Sequence, residues 1–256
     1  MRLSRRAWLG GLAALGAGLF VPPAGARRKN VAKAPGVGVS TIQYAGVDVD
    51  LVCIDLIRAR LSLHWQRPDG GRFGSLRAVD DWLRRAGEQP LALTNAGIFA
   101  TDAPVGVHIE AGQLRHPLVR GGGDGNFYLL PNGVFLVGKA GAQVVETSRF
   151  DARDVQLATQ SGPLLLSGGV LHPRFIHASH NALIRSGVGV YARDTVWLAV
   201  TRGPITFWDF ACLFRDRLGC ADALYLDGTI SRLYAPSLNR YDDGQFMGIL
   251  AVCAGR

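Results

Sequence analysis

Four short apolar runs in this chain stop on polar residues beside a glycine. They are Leu91-Ala92-Leu93-Thr94-Asn95-Ala96-Gly97, Val155-Gln156-Leu157-Ala158-Thr159-Gln160-Ser161-Gly162, Ala182-Leu183-Ile184-Arg185-Ser186-Gly187 and Ala223-Leu224-Tyr225-Leu226-Asp227-Gly228. Strands that end this way deliver an amide, a hydroxyl, a guanidinium and a carboxylate to one rim of a sheet. Glycines at those ends let backbone N–H groups approach a ligand closely. An amide, an arginine and a lone aspartate suit an oxygen-rich, anionic substrate better than a peptide or a nucleotide base.

Between these runs the chain alternates apolar and polar residues more often than it shows helical spacing. From Val47 to Trp65 the residues Ile57, Ala59, Leu61, Leu63 and Trp65 fall on one side, and Arg58, Arg60, Ser62 and His64 on the other, as in one or two long strands. Turn chemistry predicts three hairpins: Phe127–Leu130 with Val134–Val137, Leu164–Leu166 with Val170–Leu171, and Val188–Tyr191 with Val196–Val200. Two helices are expected. One runs over 76–86, capped by Ser75 and stopped by Gly87; the other runs over 206–218 with Phe207, Phe210, Ala211, Phe214 and Leu218 as its stripe and Gly219 at its end. A last apolar run, Met247–Cys253, closes the chain. The pattern predicts an α+β fold: a single domain over 45–256 built on a large mixed, mostly antiparallel sheet with a few covering helices. Residues 27–44 read as a loose leader into it. With 48% apolar residues the chain has enough to fill one full core.

The N-terminus has the layout of an export signal over residues 1–26. Arg5-Arg6 precede the apolar stretch Leu9–Val21, and small residues follow to Ala24-Gly25-Ala26. The paired arginines point to the twin-arginine route, which carries folded proteins, and hence to a periplasmic or secreted bacterial protein. The apolar stretch, about 13 residues, is short against the roughly 20 that span a bilayer, so a stable membrane span is not expected after signal removal. Cleavage would take away Arg2, Arg5 and Arg6 and no acid, so the formal charge falls from +8 to +5. That is too mild, and too free of basic strips, for a nucleic-acid binder, but it still attracts an anionic substrate. Of the four cysteines, Cys53 and Cys253 lie in apolar runs and read as buried thiols. Cys212 and Cys220, eight residues apart within and just beyond the second helix, leave a bridge open.

Several chemistries compete at the polar residues. Ser161 lacks the glycine two places earlier that a nucleophile elbow needs, so it reads as a turn residue or a donor to ligand. His172, His177 and His180 lie close together but without the spacing or the acidic partner of a zinc site, and a solvated loop is the simpler account. Asp227 is the first acid after a buried strand and points out at the sheet's edge, although an Asx-turn would use it equally well. Arg185 offers a two-pronged contact to phosphate or carboxylate, or a surface ion pair. Asn95 suits sugar hydroxyls, or its own turn.

In order along the chain stand Asn95-Ala96-Gly97-Ile98-Phe99, Pro104-Val105-Gly106-Val107-His108-Ile109-Glu110, Gly125-Asn126-Phe127-Tyr128 with Asn132-Gly133-Val134-Phe135, Thr159-Gln160-Ser161-Gly162-Pro163-Leu164, Arg185-Ser186-Gly187-Val188-Gly189, and Tyr225-Leu226-Asp227-Gly228-Thr229-Ile230-Ser231. Together these resemble the phosphodiester glycosidase family, the domain shared with the mannose 6-phosphate uncovering enzyme, in its bacterial exported branch. In the animal branch the last motif tends to be Asp, three glycines and Ser. Here it reads Asp-Gly-Thr-Ile-Ser, which leaves the substrate less defined than the chemistry. The resemblance implies hydrolysis of the bond between a sugar's anomeric carbon and a phosphodiester. No cofactor is expected and no metal motif is present in the sequence, which leaves a metal requirement open. Glycoside cleavage usually takes two carboxylates, but a phosphate leaving group needs less acid help and more positive charge. On this reading Asp227 is base or nucleophile, Arg185 grips phosphate and Asn95 holds ring hydroxyls. Gln160, Ser161 and Gly162 orient substrate oxygens, Gly97, Gly228 and Ser231 line the same rim, and Glu110 is the reserve carboxylate. The alternatives are an envelope glycan binder without turnover, or a phosphodiesterase that cuts the P–O bond.

Overall fold

Alternating residues make most of this chain strand. The computed structural model describes residues 29–255, so the export signal read at 1–26 lies outside the described residues. Strands β1 (Lys29–Ala34), β2 (Val37–Tyr44), β3 (Val47–Asp55) and β4 (Ala59–His64) lead into helix α1 (Leu76–Arg85). Then come β5 (Pro90–Asn95), β6 (His108–Glu110), β7 (Gln113–His116), β8 (Gly133–Gly138), β9 (Gly141–Glu146) and β10 (Val155–Ser161). After β11 (Leu164–Ser167) and β12 (Val170–Leu171) the hairpin of β13 (Ser186–Ala192) and β14 (Thr195–Thr201) precedes helix α2 (Phe207–Cys212). The chain ends with β15 (Asp222–Asp227), β16 (Leu233–Ala235), β17 (Arg240–Tyr241) and β18 (Ile249–Ala254).

The fold is α+β, a single domain. The one large sheet expected from the sequence is divided into three, and every pairing among the described residues is antiparallel. The first sheet runs β1-β2-β3-β14-β13-β15-β11-β12, the second β7-β6-β10-β8-β9, and the third β17-β16-β5-β18-β4. Their inner faces share one core, in which Val52 and Ile54 of β3, Leu61 and Leu63 of β4, Phe135 of β8, Leu157 of β10, Leu224 and Leu226 of β15 and Val252 of β18 meet. Burying each such side chain contributes about 1.5–3 kcal/mol. Helix α2, through Phe210, and the turn after it, through Phe214, cover the outer face of the first sheet, and α1 covers the third through Leu76, Val79 and Leu83.

Helix α1 begins at the expected cap, where Ser75 Oγ accepts the Ala78 N–H (3.1 Å), and α2 is capped by Thr206, whose Oγ1 accepts the Asp209 N–H (3.1 Å). The second continues from α2 into a π-helical turn, Leu213–Arg217. Four details differ from the sequence reading. Residues 29–44, read as leader, hold β1 and β2, because β2 pairs along its whole length with β3. Ile57 sits in the turn between β3 and β4 and is exposed. The first expected hairpin does not form: residues 126–128 make a 3-10 turn, held where Asn132 Nδ2 donates to the Phe127 carbonyl (2.8 Å), and β8 pairs instead with β9 and β10. His172 is buried and stacked on Phe175, not solvated. The other two hairpins form as read, and the four cysteines are free thiols. No helix among the described residues is long and apolar enough to cross a membrane.

Candidate active site

One strand end from each sheet arrives at the same corner. Strand β5 ends on Asn95, β10 on Ser161, and β13 begins on Ser186, the register partner of Asp227 at the end of β15. Hydrogen bonds join them. Asn95 Nδ2 donates to Ser186 Oγ (2.9 Å), and Asn95 Oδ1 accepts the Arg232 N–H (3.2 Å). Ser186 Oγ accepts the Asp227 N–H (3.2 Å). Ser231 Oγ lies 2.8 Å from Ser186 Oγ and 3.0 Å from the Asp227 carbonyl oxygen. Ser161 Oγ donates to the Leu226 carbonyl (2.8 Å). Five of the residues picked from sequence, Asn95, Ser161, Asp227, Gly228 and Ser231, therefore stand together, and Arg185 adjoins them as the neighbour of Ser186. Asn95, Ser161 and Ser231 are buried and spend their polar atoms on the protein, so they fix the corner in place.

Asp227 brings a carboxylate to this corner. Its Oδ1 accepts the Gly228 N–H (2.7 Å), and Oδ2 receives no hydrogen bond among the described residues. Burial pushes its carboxyl from 3.8 up to about 6, against the smaller opposing pull of the Gly228 N–H. A Cβ on Gly228 would stand 2.7 Å from the Tyr225 hydroxyl, so only glycine leaves that hydroxyl in place.

Arg185 is the largest fully buried side chain of the described residues. Its Nε donates to the Ile205 carbonyl (2.8 Å) and its Nη2 to that of Asn181 (3.0 Å), while Nη1 has no partner. The guanidinium carbon sits 3.5 Å from the centroid of the Phe207 ring and 5.6 Å from that of Tyr225. No carboxylate pairs with it; desolvation lowers its pKa, and only Tyr225 opposes that effect. The Tyr225 hydroxyl lies in range of Arg185, Asn126 and Asp227, and burial with the Asp227 charge raises it to about 12. Tyr225 was not singled out from sequence. The available signal was period two, which puts residues 225 and 227 on one face of β15.

Other expected site residues lie elsewhere or serve the fold. Gln160 Oε1 accepts the N–H groups of Val107 (3.1 Å) and Val119 (3.0 Å), and its Nε2 donates to the Val119 carbonyl (2.7 Å) and to Thr147 Oγ1 (3.2 Å). That amide is saturated by the protein. Gly97 and Gly162 permit close approach, but of chain to chain: a Cβ on Gly97 would strike the Gln160 carbonyl oxygen, and one on Gly162 would stand 2.7 Å from Asn132 Cβ. Glu110 is buried on β6 against His108 Nε2 (3.0 Å), facing a different cleft. No group of three metal-ligating side chains is assembled among the described residues.

The stretch that contains every residue of this corner, 89–247, matches the family model described as phosphodiester glycosidase. The chain belongs to the phosphodiester glycosidase family. It is 35% identical over 177 residues to the uncharacterized protein YigE of Escherichia coli K12, covering 68% of this chain and 69% of that one. The fold is similar to the catalytic domain of zebrafish N-acetylglucosamine-1-phosphodiester alpha-N-acetylglucosaminidase, auto-inhibited by its pro-peptide. That likeness has a TM-score of 0.59 at 14% identity, over 90% of this chain and 88% of that one. A hypothetical protein from Synechocystis shares the fold with a TM-score of 0.54 at 14% identity, over 92% of this chain and 64% of the other.

Proposed function

We propose that this member of the family hydrolyses a sugar-1-phosphodiester at the C–O bond, releasing free sugar and a phosphomonoester. The observation that carries the reading is Arg185: a fully buried guanidinium with an orphan N–H, no carboxylate partner, and Tyr225 between it and Asp227. A buried donor without a partner is costly, and a phosphate oxygen is the acceptor a guanidinium fits best. Above pH about 6 Asp227 is a carboxylate with Oδ2 free. It takes a proton from water attacking the anomeric carbon, or attacks that carbon itself to form a sugar ester that water then hydrolyses, freeing the sugar and the carboxylate. The phosphate leaves with the bonding electrons, its charge held by Arg185 and by a hydrogen bond from Tyr225. Asn95, Ser186 and Ser231 act as positioning residues for the end of β15.

The test is hydrolysis in heavy-oxygen water. Label in the free sugar supports C–O cleavage, label in the phosphate transfers the reaction to P–O cleavage, and no turnover of any sugar-1-phosphodiester removes the enzyme reading. The paired arginines and apolar stretch of residues 1–26 support export by the twin-arginine route to the periplasm or beyond.

A further inference from the structure

The connection between β7 and β8 passes the Asp227 corner, and both of its ends are pinned. At one end Gln160 holds Val119, accepting its N–H (3.0 Å) and donating to its carbonyl (2.7 Å). At the other, Asn132 Nδ2 closes the 3-10 turn on the Phe127 carbonyl (2.8 Å). That turn lies against the end of β10: a Cβ on Gly162, the residue after Ser161, would stand 3.0 Å from the Asn126 carbonyl oxygen. The half-buried Asn126 side chain reaches the Tyr225 hydroxyl, which Arg185 and Asp227 also approach. An amide nitrogen carries two hydrogens, so one on that hydroxyl leaves another to give.

Between the pins, residues 120–125 are exposed, and their backbone N–H groups donate to no other residue among the described ones. Four of these six residues are glycine. The fold explains two of them. Gly125 has a φ of +90°, and a Cβ on Gly123 would stand 2.7 Å from the Tyr128 ring. Gly121 and Gly122 have neither a left-handed φ nor any atom within 4 Å of where a Cβ would be, and among the described glycines only these two combine both features. Glycine there loosens the unfolded chain with no return inside the protein. A return exists when another molecule occupies the space a side chain would fill.

We propose that this loop is the wall of the Asp227 corner that selects the diester: Asn126 Nδ2 donates to a non-bridging phosphate oxygen, and Gly121 and Gly122 stay bare so that a bulky group esterified beyond the phosphate lies against their backbone. The inference rests on the phosphodiester reading of the corner and adds what chooses among such diesters. Arg185 supplies charge, which any anion answers; Asn126 supplies a neutral donor of fixed direction. Arg120 and Asp124 balance each other along the loop, so it selects by shape and hydrogen bonding rather than by net charge. Gly122 is four residues from Asn126 and hence within about 15 Å of it, in reach of the group that leaves with the phosphate.

The methyl and benzyl diesters of α-glucose 1-phosphate and of α-N-acetylglucosamine 1-phosphate test it, by sugar release from the folded chain and by calorimetric binding to Asp227→Asn. Asn126→Ala lowers kcat/KM about 10²-fold on both diesters, and Asn126→Asp, which sets a carboxylate where the donor stood, lowers it further. Gly122→Val, checked by thermal melting, weakens the benzyl diester at least about tenfold more than the methyl diester, in KM and in the Kd measured on the Asp227→Asn background. Full activity in Asn126→Ala, or an equal response of the two diesters to Gly122→Val, overturns the inference, while sugar release by the parent keeps the phosphodiester reading standing. If the parent releases no sugar but Asp227→Asn binds the diesters, the reaction is lost alone and the same variants decide the inference by Kd. Diesters that neither react nor bind overturn both.

Discussion

Replacing Asp227 with Asn separates the stability of this corner from its chemistry. The rise of the carboxyl from 3.8 to about 6 means that ionising it in the folded chain costs about 3 kcal/mol more than in the unfolded chain. The sign follows from proton counts. Below pH 3.8 both states hold the proton and the group contributes no pH dependence. Between pH 4 and 6 the folded chain keeps a proton that the unfolded chain has released, so stability falls as pH rises. Above pH 6 both states are ionised and the whole cost is present. Asparagine keeps the oxygen that accepts the Gly228 N–H and never ionises. Urea denaturation at pH 4, 6 and 8 should therefore show Asp227→Asn nearly equal to the parent at pH 4 and more stable by about 2–3 kcal/mol at pH 8. The same variant should release no free sugar, and the parent's kcat/KM should fall about tenfold per pH unit below 6. A variant no more stable than the parent at pH 8 would show that the carboxylate is already well paired, and the account of a strained, open Asp227 would be wrong.

Arg185→Lys keeps the charge but loses the planar fork and the stack on Phe207, so sugar release should drop about 10² to 10³-fold with folding retained. Equal activity would show that Arg185 only props the fold. Gln160→Ala strips partners from the buried Val107 N–H and from the half-buried N–H and carbonyl of Val119, and should cost about 2–4 kcal/mol in urea unfolding. Its kcat/KM per folded molecule should stay unchanged; a selective loss of kcat/KM would return Gln160 to the substrate. Changing Arg5-Arg6 to Lys-Lys should keep the protein in the cytoplasm on cell fractionation, whereas continued export would exclude the twin-arginine route.

Much of this corner was readable because it is made of strand ends. In β5, β10 and β15 a run of apolar residues announces burial, and the first polar residue after it must emerge at an edge. The run Ala182–Ile184 is different: it precedes β13 and forms only an isolated bridge through Leu183, yet it still leads Arg185 to the corner. What could not be read is where each polar atom spends its bonds. Gln160 looked like Ser161 in sequence, but its partners Val107 and Val119 flank the β6–β7 hairpin, 53 and 41 positions away, and no local pattern foretells such a clasp. Glu110 sat in a motif in the right order, yet it reaches the other side of β6. The false hairpin at 127–137 has the same origin: Phe127 fits a strand by composition, while the Asn132 amide closes a turn around its carbonyl. Strand β9 was missed because Gln143 and Glu146 dilute its apolar alternation.

The joining of three sheets at one corner ties activity to the last stage of assembly. Asn95 and Ser186 are 91 positions apart along the polymer and Ser161 and Leu226 are 65, so an intermediate with one sheet still undocked holds no assembled centre. The corner works like the keystone of a vault. A nascent molecule holds no such corner until the whole shell has closed, and a ligand that seats there tightens a joint shared by all three walls at once.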